Sequence, residues 1–141
     1  MSKCISCLLW VALTAAPLAA QAGERFEFLA APQINLSLVY RLDKLTGDMI
    51  ACQFAHNPGK EDVGPGYYGV TQCYRGGDGA TKQEPGEYGL IASRHEQEGG
   101  VFRVDYRNGA ISVCYLYVQR EKQGAAENVV DQYVVCTTPF K

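Results

Sequence analysis

The sequence predicts an all-β protein made of two tandem four-stranded antiparallel units, packed as a small sandwich or flattened barrel and stabilised by disulfides. The 141 residues include 15 glycines, which is typical of many turns between short strands. No long stretch repeats its apolar residues with the 3.6-residue period of a helix. Residues 39–54 align without a gap with residues 101–116, so the chain contains an internal repeat. Two such units can bury a core by packing face to face about a pseudo-twofold axis.

The composition is that of an ordinary globular chain, with 47% hydrophobic and 20% charged residues. At this length we expect one folded domain. The formal net charge of -2 provides no basic surface for phosphate groups, so nucleic-acid binding is not expected.

The first 22 residues have the three parts of a secretory signal. Lys3 provides the positive start, residues 5–13 form an apolar centre, and residues 20–22 read Ala-Gln-Ala, an A-x-A cleavage pattern. We expect cleavage before Gly23, which leaves residues 23–141 as a single all-β domain. The alternative is a retained membrane anchor, but the apolar run is short for a span. The protein is therefore predicted to be exported, periplasmic or extracellular and bacterial in style, with no membrane span after cleavage.

The repeat divides the mature chain into unit 1, residues 25–83, and unit 2, residues 87–141. Residue 39 corresponds to residue 101, an offset of 62 that aligns Val-Tyr-Arg-Leu-Asp with Val-Phe-Arg-Val-Asp. Each unit is predicted to contain four strands, because β-branched and aromatic segments alternate with turn formers. In unit 1 the second, third and fourth predicted strands are residues 38–42, 49–54 and 67–74. In unit 2 the third and fourth are residues 110–119 and 129–137, and the offset of 62 also aligns residues 28–31 with residues 90–93.

A tight turn joins the second and third predicted strands of each unit. Asp43 and Gly47 bound this turn in unit 1, and Asp105 and Gly109 bound it in unit 2. The carboxylate can accept hydrogen bonds from turn amides, and the glycine can adopt the positive φ that ends the turn. This D-x-x-[TN]-G hairpin resembles the turns of β-propeller blades, which are also four-stranded, although two units alone cannot close a propeller.

Four cysteines remain after cleavage, and export favours their oxidation to two disulfides. If each unit is self-contained, the pairs are Cys52–Cys73 and Cys114–Cys136, which have nearly equal sequence separations. The competing arrangement links the units through Cys52–Cys136 and Cys73–Cys114. A four-cysteine zinc site is less favoured because the cysteines do not come in close C-x-x-C pairs. We expect no metal and no other cofactor.

Three segments rich in Gly, Pro and polar residues are predicted to be irregular, namely residues 55–66, 75–86 and 120–128. Binding often takes place on loops held by a rigid scaffold, so these segments are candidates for contact with a partner. His56 lies in the first segment, and Tyr67 and Tyr68 follow it directly. These three side chains are candidate binding residues.

Arg41 and Arg103 are the polar side chains that the repeat places in both units, and they are also candidate binding residues. Each lies two residues before the turn aspartate, so the arginine and the aspartate share one face of a strand. The two side chains could form a short-range ion pair across the hairpin, with the arginine stem covering apolar surface. Alternatively, the two arginines could form a pair of symmetric anion sites.

The chain offers few groups for catalysis, and no catalytic residue is assigned. No serine lies in a G-x-S-x-G motif, and turn geometry alone explains the repeated Asp43 and Asp105. The leading hypothesis is an exported, non-enzymatic β-protein that binds an unknown protein or surface partner through its loops. One alternative is a small inhibitor that presents residues 55–66 to a hydrolase. The other is a small hydrolase that uses Asp43 or Asp105 as a catalytic carboxylate.

Overall fold

The computed structural model describes residues 24–55, 69–124 and 126–141, and these residues form strands and turns without a helix. The all-β class is therefore confirmed. The eight strands are β1 (Phe26–Ala30), β2 (Leu38–Asp43), β3 (Met49–Ala55), β4 (Val70–Tyr74), β5 (Tyr88–Ala92), β6 (Val101–Asp105), β7 (Ala110–Gln123) and β8 (Ala126–Cys136). Within this described part of the chain, nothing forms an apolar helix of membrane-spanning length.

The strands form two antiparallel meanders of four strands each, in the orders β1-β2-β3-β4 and β5-β6-β7-β8. Unit 1 forms the first of these, sheet 1, and unit 2 forms the second, sheet 2. The pairing register repeats with the sequence offset, since Arg41 faces Ile50 in sheet 1 and Arg103 faces Ser112 in sheet 2. The internal repeat is thus a repeat of a complete four-stranded sheet.

The two predicted turns have the predicted backbone. Gly47 and Gly109 have φ values of 68° and 74°, in the left-handed region that glycine tolerates best. The amide of each glycine donates to the carbonyl oxygen of its turn aspartate, Asp43 or Asp105, over 2.8 Å. Both turns therefore close in the same way.

The disulfides join neighbouring strands within each sheet. Cys52 is bonded to Cys73 across β3 and β4, and Cys114 is bonded to Cys136 across β7 and β8. The Cα atoms of the two pairs are 4.0 and 4.1 Å apart, and the two cysteines of each pair face each other directly in the strand register. The predicted pairing within each unit is confirmed, and the swapped pairing is wrong.

The faces of the two sheets can be named by the repeat. We define the first face of each sheet as the one that carries the even-numbered residues of β2 or β6, such as Tyr40 and its equivalent Phe102. The second face carries the odd-numbered residues of the same strands, such as Arg41 and its equivalent Arg103. Side chains alternate between the two faces along each strand because the backbone is pleated.

The sheets stack as two layers, but they use different faces. In sheet 1 the buried residues of β2 include Leu38, Tyr40 and Leu42, which lie on the first face. In sheet 2 the buried Val101 and Arg103 lie on the second face. The first face of sheet 1 therefore packs on the second face of sheet 2. The expected pseudo-twofold axis is absent, because such an axis would bury the same face of both units.

The core lies between these two faces and is mostly apolar. Tyr40, Met49 and Ala51 from sheet 1 are fully buried in it. Sheet 2 contributes Leu90, Val101, Cys114, Val134 and Cys136. The two layers are also joined by hydrogen bonds, because the Tyr40 hydroxyl donates to the Gly99 carbonyl oxygen over 2.7 Å.

The segment 120–128 was predicted to be a loop, and this prediction is wrong. β7 continues to Gln123 and β8 begins at Ala126, so the two strands extend as a two-stranded ribbon beyond the sheet. The ribbon turns at Gly124, which has a φ of 65°. Charges of opposite sign are paired across it, with Arg120 Nη1 and Glu127 Oε2 3.7 Å apart. The segment is polar, so its composition indicated a loop. Pairing of polar side chains across the two strands instead stabilises it as a hairpin.

Candidate functional site

The ribbon presents the most distinctive described surface of the molecule. β6 stops pairing with β7 at Cys114, so the later residues of β7 are paired only with β8. Alternation along the two strands then places Tyr115, Tyr117 and Tyr133 on one side of the ribbon. Tyr115 and Tyr117 remain 40% and 42% exposed although they lie in regular strands. We call these three side chains the tyrosine face.

The tyrosine face is held in place by ring and ion contacts. The rings of Tyr117 and Tyr133, which face each other across the ribbon, have centroids 5.5 Å apart and are tilted by 56°. The guanidinium of Arg75 lies 5.4 Å from the centroid of the Tyr133 ring. The same guanidinium donates to the Asp131 carboxylate over 2.7 Å. A cation from unit 1 thus orders an aromatic surface of unit 2.

A groove of about 340 Å³ runs beside the tyrosine face. Its walls mix aromatic rings with polar groups, including the carboxylate of Asp78 and the hydroxyl of Thr137. Surfaces of this kind, apolar rings with polar edges, are enriched where proteins contact other proteins. The tyrosine face and its groove form the candidate functional site.

The two turn aspartates use their carboxylates inside their own turns. Asp43 accepts hydrogen bonds from the Arg25 guanidinium at 2.8 and 2.9 Å and from the Leu45 amide at 3.0 Å. Burial acts to raise the pKa of this carboxyl, but the hydrogen bonds from Arg25 and the turn amides lower the pKa below its ordinary value. Asp105 accepts from the Arg107 amide over 2.9 Å in the same way.

These contacts bear on the hydrolase hypothesis. A general acid or a nucleophile needs an accessible carboxyl group with a tuned pKa. Asp43 is instead nearly buried and held as a carboxylate by its turn. Asp105 lines a cavity with Arg103 and Tyr88 of sheet 2, and Asp43 is not part of that lining. The two aspartates therefore do not form one site there.

The repeated arginines have different surroundings. Arg103 is only 3% exposed, and its guanidinium donates across the interface to the carbonyl oxygens of Gly47 and Gly79 over 2.8 and 2.9 Å. Burial lowers the pKa of this guanidinium. Arg41 lies on the outer surface of sheet 1, with its guanidinium 5.0 Å from the centroid of the Phe26 ring. The expected ion pair between Arg41 and Asp43 is not the observed one, because Asp43 is paired with Arg25.

The two arginines therefore do not form a symmetric pair of anion sites. Binding at Arg41 stays a prediction. Three other candidates, His56, Tyr67 and Tyr68, lie outside the described residues. The hypothesis of an inhibitory loop at residues 55–66 depends on this segment and also stays a prediction. The expected signal at residues 1–22 falls outside the described residues too.

The remaining titratable groups form no reactive cluster in the part of the chain that the structure describes. Burial raises the pKa of the Tyr40 hydroxyl to about 12, and that hydroxyl is already used to join the sheets. No group of three His, Cys, Asp or Glu side chains in residues 24–55, 69–124 and 126–141 could hold a metal ion.

Sequence reasoning did not select the tyrosine face, although a signal for it was present. Tyr115 and Tyr117 are spaced by two residues, which places both on one side of a strand. Tyr133 joins them only if residues 120–128 continue the hairpin, and those residues read as a loop. Comparison with known proteins adds no functional assignment, since the chain matches no family model, no curated protein and no solved structure.

Proposed function

We propose that this chain is an exported, non-enzymatic binding protein that holds a macromolecular partner on its tyrosine face. The observation that carries the proposal is the grouping of three tyrosines on one side of a hydrogen-bonded ribbon, with Tyr115 and Tyr117 exposed and Tyr133 half-buried. Tyrosine provides a large contact area at a small cost in conformational entropy and has a hydroxyl group for hydrogen bonding. Because the rings are already ordered by their neighbours, little further ordering is required when a partner binds.

The proposed partner is a protein rather than a small molecule. The groove beside the tyrosine face is open to solvent, and its walls combine side chains of β7 and β8 with Asp78 of unit 1. Sites for small molecules usually enclose most of the ligand surface. A flat aromatic ribbon with a charged pair, Arg75 and Asp131, at its side instead suits another protein surface.

Export is part of the same proposal. Two disulfides are expected in proteins that fold in an oxidising compartment. The N-terminal sequence has the order of a bacterial secretory signal, which would place the mature protein in the periplasm or outside the cell. Sequencing the N-terminus of exported material should give Gly23 or a close neighbour. Recovery of an intact Met1 on that material would contradict the proposal.

The test is a pull-down from the exported fraction with tagged mature protein, read by quantitative mass spectrometry. A double variant, Tyr117→Ala with Tyr133→Ala, removes the two facing rings. We expect it to lose at least about tenfold of the captured partner, a loss typical of removing interface tyrosines. Tyr106→Ala is the matched control, because Tyr106 is an exposed tyrosine at the turn after β6, away from the ribbon. Equal capture by the double variant and the wild type would contradict the proposal.

A further inference from the structure

The packing of the two sheets leaves one face of each sheet open. One open face is a first face and the other is a second face, which is also the combination that forms the core. Inside the molecule the first face of sheet 1 packs on the second face of sheet 2. The second face of sheet 1 and the first face of sheet 2 remain on the outside. Each open face therefore corresponds, residue by residue, to a face that is buried in the other unit.

The open second face of sheet 1 exposes large apolar side chains. Phe28 is 65% exposed, and its repeat equivalent Leu90 is buried in the core. Val39 is also exposed, and its equivalent Val101 is fully buried. Aromatic and aliphatic side chains at these positions are therefore suited to the interior of a sheet stack.

The open first face of sheet 2 shows the same pattern. Ile91 is 49% exposed, and its equivalent Leu29 packs against the core. Ile111 is exposed as well, and its equivalent Met49 is fully buried. Both open faces therefore expose apolar surface of the kind that marks an interface between proteins.

The repeated arginine gives a more specific argument. Arg103 lies 6.0 Å from the ring centroid of Tyr88 and donates to the carbonyl oxygen of Gly47 in the facing unit. Arg41 has the equivalent ring, Phe26, at 5.0 Å. Its Nε atom is nevertheless buried with no hydrogen-bond partner among the described residues. Arg41 thus shares the ring contact of Arg103, and the bonds that Arg103 makes across the interface are donated by Nη1 and Nη2 rather than by Nε.

The equivalent acceptor is present on the other open face. A Cβ atom added at Gly47 would lie 3.1 Å from the ring of Tyr88, because unit 2 fills that space. A Cβ atom added at Gly109, the equivalent position, would meet nothing within 4 Å. The space around Gly109 is therefore open, and it corresponds to the space that unit 2 fills around Gly47.

We propose that this protein assembles head to tail with further copies of itself, the first face of sheet 2 in one copy packing on the second face of sheet 1 in the next. Arg41 then donates to the carbonyl oxygen of Gly109 in the neighbouring copy, as Arg103 does to Gly47 within the chain. Such an interface joins different faces, so it produces a closed ring or an open filament. Stacked four-stranded sheets close a ring at about four to eight sheets, which corresponds to about two to four copies of this chain.

The tyrosine face continues the first face of sheet 2 along β7, because Ile111, Tyr115 and Tyr117 lie on one side of that strand, so a partner held there competes with assembly. The test of assembly therefore uses the purified, oxidised mature protein alone and begins with its mass. Size-exclusion chromatography with light scattering covers concentrations from about 1 to 100 μM, where micromolar association is visible. We expect a species of two to four chains. A single-chain mass throughout this range would overturn the proposal, and an unlimited increase in mass with concentration would overturn ring closure.

Charge variants test which faces meet. Phe28→Glu damages the second face of sheet 1, and Ile91→Glu damages the first face of sheet 2. Each variant alone should weaken assembly at least about tenfold, because a charge is expensive to bury without a partner. Ile34→Glu is the control, since Ile34 is 56% exposed but lies in the β1–β2 loop outside both faces. Far-UV circular dichroism and disulfide mapping confirm that each variant is folded.

Mixing the two face variants separates head-to-tail packing from its alternative. The Phe28→Glu chain keeps an intact first face, and the Ile91→Glu chain keeps an intact second face. Their equimolar mixture should therefore form a dimer of one chain of each kind and grow no further. A symmetric interface of one face with itself would leave one of the two variants fully assembled, and this result would overturn the proposal.

Arg41→Met tests the specific contact. The apolar faces are unchanged in this variant, so we expect the chain to fold normally while its association weakens at least about tenfold. One dissociation constant, fitted over the whole range of protein concentrations, should show this loss. An unchanged dissociation constant would overturn the proposed register of the two faces.

Discussion

At the scale of single residues, equivalent positions of the two units have the same backbone but different neighbours. Gly47 and Gly109 both have positive φ and both close a turn after an aspartate. Only Gly47 lies against the other unit, where the Tyr88 ring is 3.1 Å from an added Cβ atom. The repeat therefore determines the turn, and the stacking of the sheets determines how much a substitution costs.

Valine substitutions at the two glycines should separate these contributions. Gly109→Val should lower the free energy of unfolding by about 1 to 2 kcal/mol, because a β-branched residue is strained at positive φ. Gly47→Val should cost about 3 kcal/mol or more, because the same strain is combined with overpacking against Tyr88. Urea titrations of both oxidised variants measure the difference. A larger loss at Gly109 than at Gly47 would contradict this account.

The Asp43 carboxyl should make the free energy of unfolding depend on pH in the acidic range. Its pKa is lower in the folded state than in the unfolded chain, so its contribution is complete above the unfolded value of about 3.9 and is lost as the pH falls through the folded value. At pH 7, Asp43→Asn should lower the free energy of unfolding by about 1 to 2 kcal/mol, because the turn loses a charged acceptor.

Urea titrations at several pH values test this prediction. The difference between the wild type and Asp43→Asn should shrink steadily below about pH 4. Arg25→Met removes one of the three groups that lower the pKa of Asp43, and the amides of Leu45 and Thr46 remain, so it should give an intermediate curve. A difference that stays constant down to pH 2 would show that the carboxylate does not provide the stabilisation.

At the scale of elements, the two β-hairpins that carry disulfides are equivalent in topology and different in burial. Cys52 and Cys73 lie on the open second face of sheet 1, whereas Cys114 and Cys136 lie on the same face of sheet 2 and belong to the core. Cys136 Sγ is 3.9 Å from Met49 Sδ of the facing sheet. The loops that the two bonds close have separations of 21 and 22 residues.

Removing each disulfide should therefore have unequal effects. Replacing both cysteines of the outer pair, Cys52→Ala with Cys73→Ala, should cost about 3 kcal/mol through loop entropy in the unfolded chain. Cys114→Ala with Cys136→Ala should cost about 1 to 2 kcal/mol more, because it also empties volume in the core. Thermal unfolding at matched pH measures both variants. An equal or smaller cost for the core pair would contradict the described packing.

At the scale of the whole molecule, two copies of one sheet are stacked with unlike faces in contact. Hydrogen bonds across the layers add direction to this stacking, and the buried guanidinium of Arg103 makes two of them. A buried charge is tolerated here because the carbonyl oxygens of Gly47 and Gly79 satisfy it. Arg103 is therefore a structural arginine that locks one sheet to the other.

Arg103→Met should lower the free energy of unfolding by about 2 to 3 kcal/mol, because two buried carbonyl oxygens lose a charged donor. Arg41→Met is the matched control at the equivalent position, and it should leave the stability of the isolated chain within about 0.5 kcal/mol of the wild type. Urea unfolding at low protein concentration measures both variants. Equal losses would show that the two arginines have the same role, in conflict with their different surroundings.

The local and repeated features of this protein follow directly from its amino-acid sequence. Strand positions follow from the alternation of side chains, and the turns follow from the spacing of Asp and Gly. The disulfide pairs follow from the repeat, because the cysteines of each unit have nearly the same separation. Each of these features depends on residues that are close in the chain or on the internal copy. The extent of the β7–β8 ribbon was missed, because polar cross-strand pairs have no apolar pattern to reveal them.

Which faces of the sheets meet and which tyrosines come together depends on tertiary packing. The repeat gives both units the same alternation, so it cannot show whether the face with Tyr40 or the face with Arg41 is buried in a given copy. That choice depends on contacts between residues more than fifty positions apart, such as Arg103 with Gly47. Tertiary packing therefore gives identical sequence motifs an interior role in one unit and a surface role in the other.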